Sequence, residues 1–127
     1  MRYNTVLQIA MNQINVTNLE EAIKWYTNTL GFELSKENYF PPQAVDLIQK
    51  GNIRLILYKV DKKVKNDYPN QTQTIIIFRT ENLEKLTEDL KKKNVAFVYP
   101  EAIEFPAGIF NAIIDPFGNV LEIVQLE

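Results

Sequence analysis

The chain has 127 residues, 46% of them hydrophobic, which suffices for one well-buried domain and is short for two. Its 14 basic and 16 acidic side chains leave a net charge of −2, which excludes the broad cationic field that nucleic acid or an anionic membrane would need. With no cysteine and no histidine, disulfides, thiolate nucleophiles, Ser/His/Asp and Cys/His catalytic sets and the commonest nitrogen metal ligand are all excluded.

The opening "MRYNTVLQIAMNQ" lacks the apolar core of a signal peptide, and no apolar run reaches membrane-spanning length. A cytoplasmic protein with no membrane or nucleic-acid partner is expected. A first strand leads into a helix predicted near 19–30. Asn18 is placed to cap it, Glu21 takes the capping-box position, and Leu19, Ala22, Ile23, Tyr26 and Leu30 form an apolar stripe ended by Gly31. Trp25 lies at the edge of that stripe, where core or interface packing is the expected role. Tyr39 and Phe40 precede Pro41-Pro42 in a loop; packing is the commoner role for such aromatics, covering a cavity mouth the rarer one. A strand, "GNIRLIL", begins at Gly51.

The polar stretch "DKKVKNDYPNQTQ", residues 61–73, reads as a connector, with its lysines solvated. A second helix is predicted near 82–93, with Leu83, Leu86 and Leu90 on one face and Lys91 to Lys93 at its negative end. Phe105 and Phe110 bracket Pro106 and Gly108 and invite the same two readings as Tyr39 and Phe40. The four glycines, Gly31, Gly51, Gly108 and Gly118, do not cluster into a phosphate-binding loop. Asp115-Pro116 with Gly118-Asn119 specifies a turn, and a strand starts at Val120. Alternation along it puts Val120, Glu122 and Val124 on one face and Leu121, Ile123 and Gln125 on the other. Glu122 therefore sits on an apolar-flanked surface, where an unpaired carboxylate is costly.

The chain also repeats itself. "VTNLEEAIKWYTNTLGF" from Val16 and "RTENLEKLTEDLKKKNVAF" from Arg79 share Asn-Leu-Glu at 18–20 and 82–84, and "GNIRLIL" matches "GNVLEIV" from Gly118. Each half reads as strand, helix, then about three strands. The predicted class is α+β: two tandem βαβββ modules in one domain over 1–127, module 1 at about 1–62, a linker at about 62–72 and module 2 at about 73–127.

This order, the first repeat segment and the closing "FPAGIFNAIIDPFGNVLEIVQ" resemble the vicinal oxygen chelate superfamily of glyoxalases, extradiol dioxygenases, fosfomycin-modifying enzymes and bleomycin-resistance proteins. The resemblance covers nearly the whole chain and is specific for a fold rather than a reaction. It implies an open mixed β-sheet enclosing a cavity, with helices outside, and a homodimer as the usual state. Its enzymes hold a metal with residues of the first and last strand of each module. Carried over by spacing, those positions fall on Met11, Leu55, Ile75 and Glu122. One carboxylate, one thioether and two aliphatic side chains cannot assemble the three or more good donors that such a centre needs, so no metal and no other cofactor is expected.

What the resemblance leaves is a mostly apolar cavity with a few polar groups: Glu122, Met11, Gln13 with Asn15, Leu55, Ile75, Ile77 and Arg79. The expected function is metal-independent binding of a small molecule, cationic or amphipathic, against Glu122. The alternatives are a metal-free enzyme of lyase or isomerase type using Glu122 as general acid or base, or a non-catalytic homologue in which Glu122 pairs with Arg79 or Arg54 inside a filled barrel. Binding is preferred over catalysis because a lone carboxylate without a nucleophile or oxyanion donor is a thin catalytic set.

Overall fold

The computed structural model describes residues 7–36, 42–50 and 53–127. Tyr39, Phe40, Pro41, Gly51 and Asn52 lie outside the described residues. The first module runs β1 (Asn12–Val16), α1 (Leu19–Asn28), β2 (Glu33–Leu34), β3 (Ala44–Gln49) and β4 (Ile53–Lys59). The second runs β5 (Ile77–Arg79), α2 (Leu83–Lys92), β6 (Ala96–Phe97), β7 (Ile103–Phe105), β8 (Gly108–Ile114) and β9 (Val120–Leu126). The sheets are ordered β1-β4-β3-β2 and β5-β9-β8-β6, with β7 also on β8. In each, the first strand pairs in parallel with the last and the other pairings are antiparallel, so the repeat in sequence is a repeat in topology.

Both helices start where the shared Asn-Leu-Glu requires. Asn18 Oδ1 accepts from the Glu21 amide at 3.0 Å, and Asn82 Oδ1 from the Lys85 amide at 3.0 Å. Gly31 adopts φ +79° just past the first helix, a left-handed conformation that a side chain would disfavour. The amphipathic stripes then bury Ala22, Tyr26, Leu83 and Leu90 against the inner strand residues Ile14, Val16, Leu47, Leu55, Leu57, Ile113, Leu121 and Ile123 in one hydrophobic cluster that draws on both modules.

The second module carries one irregularity. Strands β6 and β7 are two pieces of one strand along β8, since Phe97 pairs with Ile113 and Ile103 with Phe110. Between them Pro100 offers no amide proton, and the Asn111 side chain bonds the Tyr99 amide at 3.3 Å and carbonyl at 3.2 Å.

The modules join through the turn after β8. Asp115, 3% exposed, accepts at Oδ1 from the Phe117 and Asn119 amides at 2.9 and 2.8 Å, and at Oδ2 from Asn119 Nδ2 at 2.8 Å and from the Tyr26 hydroxyl at 2.6 Å. Asn119 Nδ2 also donates to the Asn15 carbonyl at 2.9 Å, and Lys93 Nζ to the Asn28 carbonyl at 2.9 Å. The Asp-Pro-Phe-Gly-Asn turn of module 2 is thereby bolted to β1 and α1 of module 1.

The candidate ligand-binding site

Pairing register fixes which residues face away from the helices. In the first sheet Gln13 lies beside Ile56 and Asp46 opposite Ile56; in the second Ile77 lies beside Glu122 and Ala112 opposite Glu122. Partners across a ladder share a face. The far face of module 2 therefore carries Ile77, Arg79, Phe110, Ala112, Glu122 and Val124. That of module 1 carries Gln13, Asn15, Ala44, Asp46, Arg54 and Ile56.

One expected position must be corrected. Leu55 is 2% exposed and belongs to the core cluster on the helix side; Ile56 occupies the far-face position instead. The same count after Gly51 and after Gly118 suggested Leu55 as the match of Glu122. The β1/β4 ladder differs from that count by one residue, and a slip of one reverses every side chain.

The other expected residues divide between the sheets. Met11 precedes β1 and is exposed, and Gln13 is exposed with Nε2 bonded to Asn15 Oδ1 at 3.1 Å. Ile75 is half-buried ahead of β5, Ile77 is 57% exposed, and Arg79 is exposed. The structure brings Ile77 and Glu122 side by side, whereas Met11 and Gln13 belong to the other sheet. No ion pair joins Glu122 to Arg79 or Arg54 among the described residues. Arg54 Nη2 instead meets Asp46 Oδ2 at 2.7 Å, across β3 and β4.

Glu122 has a different partner, Tyr68, whose hydroxyl donates to Oε2 at 2.7 Å. Tyr68 comes from the connector, which is built into the fold rather than slung between modules. The Val64 amide bonds the Phe117 carbonyl at 3.1 Å and Asn66 Nδ2 bonds the Gly118 carbonyl at 2.7 Å. A tight turn then follows, closed by paired backbone bonds of 2.7 Å between Asp67 and Gln71. Burial pushes the Tyr68 phenol far above its ordinary range, and its bond to Glu122 adds to the effect, so it remains a donor.

Around this pair stands a chain of rings. Tyr68 and Tyr99 have centroids 6.1 Å apart at 62°, Tyr99 and Phe110 6.1 Å at 88°, and Phe105 and Phe110 5.8 Å at 74°. All four are half-buried. Phe110 shares the far face with Glu122, and the break after β6 brings Tyr99 onto Phe110. Sequence reasoning missed Tyr68 and Tyr99. Their signal was faint: a lone aromatic before proline in a polar connector, and a second Tyr-Pro at residues 99–100. A separate cleft of about 210 Å³ between the modules, lined by Leu30, Phe32, Phe78 and Leu86 among others, opens on the helix side.

Paired βαβββ modules, each with its first strand parallel to its last, define a fold of the glyoxalase type. The chain belongs to the Glyoxalase/Bleomycin resistance protein/Dioxygenase superfamily, whose family model matches residues 5–123. Similar solved structures include TnmS3, an antibiotic binding protein from Streptomyces sp. CB03234. It is 21% identical, with a TM-score of 0.73 over 98% of this chain and 100% of that one. The fosfomycin resistance protein FosX from Listeria monocytogenes is 13% identical, with a TM-score of 0.78 over 97% of this chain and 94% of that one. A superfamily member from Sphaerobacter thermophilus DSM 20745 is 22% identical, with a TM-score of 0.72 over 94% and 99%. At these identities the likeness is one of fold. No curated protein matches the chain.

The metal positions of the family enzymes, corrected for register, hold Met11, Ile56, Ile75 and Glu122. This donor set does not fit a divalent metal, which needs several oxygen or nitrogen ligands. Among the described residues no three His, Cys, Asp or Glu side chains converge, and no helix is long and apolar enough to cross a membrane.

Proposed function

We propose that the protein binds a small molecule without a metal, taking a cationic or amphipathic ligand against Glu122. The observation that carries this reading is the state of that carboxylate. It is half-buried, Tyr68 holds Oε2, Oε1 takes no hydrogen bond among the described residues, and half-buried rings stand beside it. The other two acids compared have stronger partners: both oxygens of Asp115 are supplied with donors and Asp46 is held by Arg54, whereas Glu122 meets a neutral phenol. The fold shared with an antibiotic binding protein supports the binding of organic ligands by this scaffold. Acid–base catalysis by Glu122 finds less support, because the side chain hydrogen-bonded to it among the described residues is a phenol that keeps its proton.

The proposal includes a cytoplasmic homodimer. Leu7, Ile9 and Met11 alternate ahead of the edge strand β1 with exposures of 95%, 88% and 38%, and a second copy would cover them. Light scattering is expected to give twice the chain mass; a monomer at all working concentrations removes the dimer. The binding claim is tested by native mass spectrometry for co-purified ligands and by titration of organic cations into wild type and Glu122→Gln. Loss of affinity of about tenfold for cations, with neutral analogues little changed, is expected for removing a hydrogen bond to a charged group. Equal affinities for both proteins overturn it.

A further inference from the structure

We infer that the cleft between the modules, on the helix side and apart from Glu122, is a binding site for a single-ring phenol. The repeat itself locates it. Asn18 and Asn82 cap equivalent helices 64 positions apart, which makes Leu90 the counterpart of Tyr26. The same spacing relates Gln13 to Ile77, which lie beside Ile56 and Glu122, and these face Asp46 and Ala112 across the next ladder. Three residues on from Asp46 and Ala112, Gln49 is the counterpart of Asp115. At one junction of the modules Tyr26 is buried and its hydroxyl donates to Asp115 Oδ2 at 2.6 Å. At the other a leucine stands for the tyrosine and a carboxamide for the carboxylate, and there lies the cleft of about 210 Å³, with Gln49 on its lining.

Phe32, Phe78, Leu86 and Ile123 give the cleft an apolar wall. A cavity of about 150 Å³ is enough for benzene, so this one admits a single ring and little more. Gln49 is half-buried and its carboxamide makes no hydrogen bond among the described residues, although it can accept at Oε1 and donate at Nε2. A hydroxyl on the ring satisfies it, as the Tyr26 hydroxyl satisfies Asp115, and a neutral amide makes no demand for a charged ligand. Arg79 also borders the cleft, but it is exposed, so solvent screens its pull on an anion. A phenol in the cleft therefore touches both modules and supplies at this junction the ring and hydroxyl that Tyr26 supplies at the other.

The full-length protein is titrated with p-cresol, toluene and benzoate, followed by amide NMR shifts. p-Cresol is expected to shift the amides of Phe32, Phe78 and Leu86 and to bind about fivefold more tightly than toluene, the scale of one neutral hydrogen bond, with benzoate weaker than p-cresol. Gln49→Leu should bring p-cresol and toluene to within about twofold of each other while toluene still binds. Leu86→Phe, which places a ring of the chain's own in the cleft, should abolish binding of both; melting curves confirm that each variant is folded. The inference is overturned if p-cresol does not bind, if its shifts cluster elsewhere, if toluene binds equally well, or if the preference for p-cresol survives Gln49→Leu. Tighter binding of benzoate overturns it too, by making Arg79 the reader of an anion. Glu122 lies on the opposite face of its sheet, so the binding proposed there stands or falls separately.

Discussion

Tyr26 and Asp115, 89 positions apart, meet through a 2.6 Å hydrogen bond that joins the first helix to the turn before the last strand. The bond is buried, with Tyr26 wholly inaccessible and Asp115 3% exposed. Tyr26→Phe removes a hydrogen bond to a charged group and should cost about 1.5–3 kcal/mol. Asp115→Ala should cost more, because it also strands the Phe117 and Asn119 amides, and each buried donor left unpaired costs about 1–3 kcal/mol. Urea denaturation checks both, and an Asp115→Ala loss smaller than that of Tyr26→Phe contradicts this account.

The same bond predicts an alkaline weakness. Burial pushes the Tyr26 phenol well above its usual range, and the charge of Asp115 and the hydrogen bond to it push further. In the unfolded chain the phenol ionises near pH 10, about its ordinary value; in the fold it ionises only higher. Between those limits the unfolded state binds fewer protons, so stability is fully present below about pH 10 and falls as pH rises, by at most about 1.4 kcal/mol per pH unit for this group. Thermal melts from pH 9.5 to 11.5 should show a shallower decline in Tyr26→Phe than in wild type. Identical slopes would mean that Tyr26 does not carry the effect.

How much of this was legible before folding differs from element to element for physical reasons. The helices were, because caps and stripes are local, and Glu122 was placed on the correct face because the Asp115–Asn119 turn fixes where its strand begins. Leu55 was not, since its facing depends on the ladder to β1 rather than on its own turn. Tyr68 was hidden for a related reason. The connector takes its shape from contacts with Gly118 and Glu122, 52 and 54 positions away, and no local periodicity announces them. Asp46 passed unremarked because its partner Arg54 reaches it only once β3 and β4 pair.

Gly118 is where the connector can be tested directly. Its φ is +89°, and a Cβ there would collide with the Val64 carbonyl oxygen. Gly31 provides the comparison, with φ +79° and nothing within 4 Å of its own added Cβ. Gly31→Ala should cost only the left-handed strain, about 1–2 kcal/mol. Gly118→Ala should cost more, and by displacing the segment that delivers Tyr68 it should also weaken cation binding at Glu122. Chemical denaturation and ligand titration of the two variants separate strain from displacement. Equal stability losses would mean that the connector does not rest on this turn.

The two far faces each hold an acid, and their contrasting surroundings predict unequal responses to losing a charge. On module 1, Asp46 has a fully buried side chain and Arg54 one that is 22% exposed, with 2.7 Å between them. Arg54→Met keeps the aliphatic length but leaves a buried carboxylate without its cation, which should cost about 3–5 kcal/mol. Replacing both partners, as Asp46→Leu with Arg54→Met, should recover much of that loss, since neither charge then remains to be desolvated. On module 2, Glu122 is half-buried and its partner is a neutral phenol. Glu122→Gln leaves a carbonyl oxygen able to accept from Tyr68, so its effect on stability should stay within about 1 kcal/mol, the net worth of an ordinary hydrogen bond. Melting curves of the single variants and a double-mutant cycle on the Asp46–Arg54 pair decide the matter. A Glu122→Gln loss as large as that of Arg54→Met would return Glu122 to a structural role and leave the ligand site without its anchor.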